Sequence, residues 1–355
     1  MSEDTKIIGW NAPSNIALIK YWGKRDNQLP ENGSLSLTLN KSTTSTFLTY
    51  KKKQTLENTI SIEYYFHGER QLAFESKTER LLNSLKSQMP FLPDYDLIFH
   101  SSNTFPHSAG IASSASSMCA LALCLVTMEE NISANKLKTE DFFRRASIIS
   151  RLGSGSASRS IYGGFVTWGK IPSLENSSDE YATPYPVDPG SRLNTIRDII
   201  LIVSSNEKNV SSSKGHALMN YHPYRDGRKI QANDNMLKII EAIRKDDYKT
   251  LADTAENEAL ALHALLMTSE PDGLLLKPGT LSIIEEVRKY RRSTGTDLFF
   301  TIDAGPNVHL IYFEDQREEV LSFVQNNLVR FCEDGQWIDD CLGKGPERIS
   351  NESFD

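Results

Sequence analysis

Residues 106–116 read PHSAGIASSAS and run straight into an apolar stretch, SSMCALALCLV, residues 116–126. Small residues at a helix start let the backbone come close to a bound group. The first N–H groups of a helix have no internal partner and carry the positive end of its dipole. Such a turn can hold a phosphate, and the hydroxyls of Ser113 and Ser114 add donors and Mg²⁺ ligands. A plainer reading stands beside it, in which Ser113 simply caps a core helix. The stretch is not a Walker A loop, because it lacks G-x-x-x-x-G-K-[ST].

Upstream, DLIFHSSNTFP from Asp96 reads as a strand that leads into this turn. Residues 7–24, IIGWNAPSNIALIKYWGK, read as a strand, a turn at Pro13 to Asn15 and a second extended segment. If that segment is extended, Lys20 and Lys24 share a face. Two ammoniums there suit a polyanion, or they belong to a solvated edge. Residues 34–66 alternate as antiparallel strands do, with Lys51 to Lys53 at a hairpin turn. Residues 75–88 predict an amphipathic helix with Leu81, Leu82 and Leu85 on one face.

Downstream, residues 141–170 predict a helix broken by the second Ser/Gly-rich run, GSGSASRSIYGG, and then a strand, GGFVTWG. Arg159 is the one cation between Arg151 and Lys170. Its guanidinium suits a carboxylate or phosphate, or a structural salt bridge at a helix end. Residues 173–195 are polar and proline-rich and read as a loop close to a domain boundary. DIILIVSS, residues 198–205, predicts a central apolar strand of a second sheet. Residues 231–267 predict two helices joined at Asp246-Asp247, with His263 a packed core histidine. DLFFTIDAGPNVHLIYF, residues 297–313, predicts two strands around a tight bend. Asp303 at that bend is a turn-former or a positioned base. A helix over 315–332 and a short strand in QWIDDCLGKG complete the chain.

A chain of 355 residues can form two domains. Hydrophobic residues make up 39% and charged ones 24%, as in a globular protein. A net charge of −7 argues against non-specific nucleic-acid or membrane binding. Four cysteines without a C-x-x-C pair fit a reducing cytoplasm rather than a disulfide framework. MSEDTKIIGW lacks the blocks of a signal peptide, and the apolar run Met118 to Val126 is too short for a bilayer.

Four of these segments keep a common order. NIALIKYWGKRD, NTFPHSAGIASSAS, RLGSGSASRSIYGGFVTW and TIDAGPNV resemble the motifs of the mevalonate diphosphate decarboxylase family. That family lies within the galactokinase, homoserine kinase and mevalonate kinase superfamily. The resemblance spans roughly residues 8–313, and HALLMTSEPDG fits the same pattern. It implies an α+β fold in two lobes, residues 1–195 with the phosphate-binding loop and residues 196–355, with the active site between them. It implies that ATP phosphorylates the 3-hydroxyl of mevalonate 5-diphosphate, followed by loss of phosphate and CO₂ to give isopentenyl diphosphate.

The family's catalytic aspartate, its neighbouring lysine and its substrate-gripping arginine fall on Asp303, Lys20 and Arg159. Tyr21, Lys24, Ser154 and Ser156 match substrate contacts, and Asn15 a residue that supports the pocket. Ser212 stands where a serine lies near the diphosphate. Gly110, Ile111 and Ala112, with Ser113 and Ser114, match the loop that holds ATP phosphates and Mg²⁺. Relatives are often homodimers. This chain differs at Ser213, where many bacterial relatives carry Arg, at Gly33 in Asn32-Gly33-Ser34, at Leu152, and over His107 to Gly110. The rival readings are a decarboxylase of mevalonate 5-phosphate, a kinase that stops at phosphorylation, and a silent binding protein on the same fold.

Overall fold

The computed structural model describes residues 5–55, 58–106, 111–205, 212–269 and 273–350, with the backbone alone at 212–214. Its first sheet is built on two long strands, β1 (Thr5–Ile19) and β2 (Ser34–Lys52), paired antiparallel. Contrary to the predicted break, β1 runs unbroken through Pro13. Proline has no N–H to give the ladder, and the adjustment is made in β2 instead. Thr43 pairs with Pro13 and Thr38 with Asn15, so residues 39–42 bulge out of register.

The strands β3 (Ser61–Phe66) and β5 (Tyr95–Asn103) flank β2, with β4 (Glu69–Arg70) at the edge. Here too the sequence misleads. The strand β3 does not form a hairpin with β2. It pairs parallel with β5, which inserts between them. The end of β2 therefore carries Lys51 and Lys52 into solvent. Three helices, α1 (Leu72–Leu85), α2 (Ser113–Ser133) and α3 (Thr139–Gly153), cover this sheet. Along α2 every residue from Met118 to Met128 is buried. A helix apolar on all sides belongs inside a core. A 3-10 turn (Gly155–Ile161) leads to β6 (Phe165–Trp168), which pairs with β2. The expected loop after it contains a short strand, β7 (Thr183–Tyr185), paired with β6.

The second sheet has the order β11 (Trp337–Cys341), β8 (Ile196–Leu201), β10 (Val308–Phe313), β9 (Phe299–Thr301), all antiparallel. As predicted, β8 is interior. Its helices are α4 (Ser212–Leu218), α5 (Arg225–Lys245), α6 (Tyr248–Met267), α7 (Pro278–Thr294) and α8 (Arg317–Phe323). The helix expected over 315–332 is α8, followed by a π turn and a 3-10 turn. Asp246, in left-handed conformation, ends α5, and the Asp247 side chain caps α6. Among the described residues no helix is long and apolar enough to cross a membrane.

The two sheets share a core. Ile16, Leu18, Leu35 and Leu37 pack with Ile196, Ile200, Ile239 and Phe299. The chain end ties them further, since β12 (Glu347–Ile349) returns to the first sheet and pairs with β1. Asp340, wholly buried, accepts hydrogen bonds from the N–H groups of Asn40, Lys41 and Ser42 at 2.9, 2.8 and 2.7 Å. These donors are the ones the β2 bulge removes from its ladder. Asp340→Ala strands them, and a urea melt is expected to show a loss of about 2–3 kcal/mol.

Candidate active site

The strand β1 ends at Ile19, and Lys20 turns inward beyond it. Its Nζ lies 2.7 Å from Asp303 Oδ1, with the lysine side chain 2% exposed and the aspartate 25%. Asp303 sits in the bend between β9 and β10. The bend is closed by its backbone oxygen, which accepts from Gly305 N–H at 2.7 Å. The carboxylate has no part in that turn and is left to face Lys20. Burial by itself raises the Asp303 pKa. The Lys20 charge and hydrogen bond, with help from His309 and Arg159, outweigh it and hold the carboxyl below its ordinary range.

Arg159 comes from the 3-10 turn after α3 and is 3% exposed. Its Nη1 donates to Ser34 Oγ at 2.8 Å and its Nε to Ser36 Oγ at 3.1 Å. Longer bonds, 3.3 and 3.4 Å, reach Asn15 Oδ1. Asn15 is itself held by Ser160 Oγ at 2.7 Å. All these acceptors are neutral. Among the described residues no carboxylate comes within ion-pair distance, so the expected alternative of a structural salt bridge is not realised. Burial lowers the guanidinium pKa to about 10, against the pull of Asp303 and Tyr21. It is a buried cation that remains charged at neutral pH and, among the described residues, has no carboxylate in direct contact.

Both groups open on one cavity of about 450 Å³. Lys24 also lines it, and Lys77 and Arg80 reach it from α1, against the carboxylate of Asp303 alone among the described residues. Burial, then the charges of Arg80 and Lys24, push the Lys77 pKa down. Such a cluster suits a polyanion. Ser154, Gly155 and Ser156 form part of the wall, and Ser114 Oγ lies 3.3 Å from Ser154 Oγ. A Cβ on Gly155 would come within 2.9 Å of Trp168 and of the Tyr21 ring and hydroxyl. That buried hydroxyl has no hydrogen-bond partner among the described residues, a gap that a ligand oxygen would fill. His216 of α4 packs between Tyr21 and Trp22, with ring centroids 4.3 and 4.7 Å away. Its Nδ1 accepts from Gly23 N–H at 3.1 Å. Burial, then Lys24 and Arg159, lower its pKa to about 3, so the ring is neutral.

The helix α2 opens onto the same cavity. The residue before its first turn is Ala112, in a left-handed conformation with φ 48°, and among the described residues no side-chain cap hydrogen bond is made there. Ser113 therefore does not act as the cap. A non-glycine residue in this region is strained. The N–H groups of that first turn and the Ser114 hydroxyl, beside lysines and an arginine, fit a nucleotide phosphate. Among the described residues no cluster of three His, Cys, Asp or Glu could hold a metal. A divalent cation here fits only as Mg²⁺ carried largely by phosphate oxygens, with a serine hydroxyl as protein ligand.

A diphosphomevalonate decarboxylase of Gibberella zeae is 31% identical over 335 residues, 90% of this chain and 84% of that protein. The chain belongs to the diphosphomevalonate decarboxylase family. Residues 12–180 match the diphosphomevalonate decarboxylase-like N-terminal domain, and residues 198–346 the mevalonate 5-diphosphate decarboxylase C-terminal domain. The Aspergillus fumigatus diphosphomevalonate decarboxylase is 32% identical over 88% of this chain and 78% of its own length. The mevalonate diphosphate decarboxylase of Staphylococcus aureus superposes with a TM-score of 0.82 at 29% identity, covering 99% of this chain and all of that one. The structure of MDDEF in complex with MVAPP, AMPPCP and magnesium gives 0.82 at 29% identity, covering 98% and 100%. The α+β fold is thus the family's.

Of the residues singled out in the sequence, Lys20, Tyr21, Lys24, Ala112, Ser114, Ser154, Ser156, Arg159 and Asp303 meet around the cavity. Asn15 stands behind Arg159. Ile111 is buried, its carbonyl accepting from Ser14 Oγ, and neither it nor Ser113 lines the cavity. Gly110 and the side chain of Ser212 lie outside the described residues, as do His107 to Ala109 and the side chain of Ser213. The triplet Asn32-Gly33-Ser34 proves central. Asn32 Nδ2 donates to Lys20 O at 3.0 Å, Ser34 accepts from Arg159, and a Cβ on Gly33 would meet Ile171 at 2.7 Å. Sequence reasoning missed Ser34, Ser36, Lys77, Arg80 and His216. A signal existed for the α1 pair, a lysine and an arginine three apart on a helix.

Proposed function

We propose that this protein decarboxylates mevalonate 5-diphosphate at the expense of ATP, releasing isopentenyl diphosphate, ADP, phosphate and CO₂. The single observation that carries this reading is the meeting of an ionised Asp303, paired to Lys20, with an Arg159 that, among the described residues, has no carboxylate in direct contact. The substrate supplies what each group needs, a tertiary hydroxyl for the aspartate and a carboxylate for the arginine.

Asp303 takes the proton of the 3-hydroxyl, and Lys20 keeps Asp303 ionised and offsets charge on the moving phosphoryl group. ATP with Mg²⁺ supplies that phosphoryl group, held at Ser113, Ser114 and the start of α2. Arg159 holds the carboxylate in a two-pronged grip, supported by Asn15, Ser34 and Ser36. Lys24, Tyr21, Ser154, Ser156 and Ser212 take the diphosphate end, with Lys77 and Arg80 beside them. The C–O bond to the new phosphate then breaks, and the electrons of the departing carboxylate's C–C bond form the double bond.

Two lobes dividing at residues 195 and 196 would place this chemistry between the sheets. Four free thiols support a cytoplasmic setting, and the exposed rings of Tyr221 and Tyr224 support a homodimer. The test is to incubate the pure protein with ATP, Mg²⁺ and either mevalonate 5-phosphate or 5-diphosphate, following CO₂ and ADP. CO₂ from the diphosphate is expected. ADP without CO₂ would make the protein a kinase, and CO₂ from the monophosphate alone would reassign the substrate.

A further inference from the structure

The helix α6 reaches both members of the ion pair, and it does so through their backbones. Glu258 Oε2 accepts from Lys20 N–H at 2.9 Å. Five residues further along, His263 Nε2 donates to Asp303 O at 3.0 Å. Both side chains are buried, Glu258 at 0% and His263 at 1% exposure. Arg228 of α5 closes the arrangement. Its Nη1 and Nη2 each meet a Glu258 oxygen at 2.7 Å, and Nη2 also donates to Lys20 O at 3.1 Å. Asn235 gives Glu258 Oε1 a further hydrogen bond at 2.8 Å.

Lys20 lies just past the end of β1, and Asp303 lies in an irregular bend, so neither backbone is set by a regular strand. The two residues are 283 positions apart in sequence. A lysine ammonium on its four-carbon stem can follow a drifting carboxylate without losing contact. The 2.7 Å ion pair therefore does not by itself fix where the carboxylate stands relative to a substrate. Five residues of α-helix are a stiff rod of about 7.5 Å. A buried Arg–Glu pair is also poor evidence for stability, since apolar replacements often do as well. Here its free lone pairs and protons are turned onto the Lys20 backbone.

We propose that α6 is a splint, with Glu258 and His263 as positioning residues that fix the Lys20 and Asp303 backbones at the separation the reaction needs. The inference rests on the reading of Lys20 and Asp303 as the catalytic pair. Misplacing a reacting group by about 1 Å can cost about 100-fold in rate, so the effect belongs in kcat.

The test compares His263→Met, which removes the donor at similar volume, with His263→Gln, which returns an amide N–H. It is read on whichever mevalonate phosphate the wild-type chain decarboxylates, so a wrong substrate does not decide it. His263→Met is expected to lower kcat by roughly 10- to 100-fold with both KM values within about threefold. His263→Gln should recover kcat to within about fivefold of wild type. In a Lys20→Arg background His263→Met should cost less than in wild type, because the spacing it protects is already lost. A kcat within about twofold of wild type for His263→Met, a His263→Gln no better than it, or costs that simply multiply would overturn the splint. If neither substrate turns over, or His263→Met does not fold, the Lys20 ammonium nitrogen resonance decides, read in His263→Gln and in His263→Asn, whose shorter amide does not reach the Asp303 backbone oxygen and which leaves the Glu258 charge in place. A shift in His263→Asn with none in His263→Gln supports the splint, and an unmoved resonance in both, or an equal shift in both, overturns it.

Discussion

Asp303→Asn is expected to lower kcat by about 1,000-fold or more, with ATP affinity within about threefold. The amide keeps the shape of the carboxylate, and the bend survives because Gly305 N–H and His263 Nε2 bond the backbone oxygen, not the side chain. What is lost is the proton acceptor and the counter-charge of Lys20. The same group sets the acid limb of the kcat/KM profile. The Asp303 pKa is lowered, so activity is retained below the ordinary carboxylate range and lost only as pH falls through that lowered value. A wild-type limb near or above pH 5 would assign it to another group. An Asp303→Asn protein that unfolds would instead mark the residue as structural.

Arg159→Lys should be nearly as damaging, about 100-fold in kcat/KM for the mevalonate substrate, with little change in KM for ATP. A planar fork fits between Ser34, Ser36 and Asn15 and still faces the cavity. An ammonium offers one point of charge there and cannot grip a carboxylate with two parallel bonds. Charge-assisted hydrogen bonds are worth about 1.5–3 kcal/mol each, which sets the size of the effect. Substrate titration and a thermal melt check it together. A large fall in melting temperature with unchanged substrate KM would mean that Arg159 holds the fold and not the ligand.

The residues legible in the sequence are those whose chemistry lies inside a short local pattern. Asp303 beside Gly305-Pro306, Lys20 in a Lys-Tyr-Trp-Gly-Lys run, and Arg159 alone in a Ser/Gly-rich turn each stand out within a dozen residues. Glu258 and His263 do not, because their partners lie 238 and 40 positions away. The histidine reads as core, and it is buried, yet its ring also meets the bend that carries Asp303. Glu258 is an acid buried in the middle of a leucine- and alanine-rich helix, and that was the available signal. Strand pairing was less legible still. Alternation shows that β3 has two faces but not that β5, from later in the chain, will be its parallel neighbour. Pro13 reads as a break because a proline costs a ladder bond, and nothing local says that β2 will bulge to accommodate it.

The hydrogen bonds between β12 and β1 join Gly9, Trp10 and Asn11 to Ile349, Arg348 and Glu347. A ribosome makes the first of these more than 330 residues before the second. At about 5–20 residues per second, the first strand emerges tens of seconds before the strand that covers its edge. Over that interval a nascent chain exposes an open β edge together with the β2 bulge that Asp340 later closes. Premature termination near residue 335 would leave both permanently uncovered, a state suited to capture by a chaperone or to clumping with its own kind.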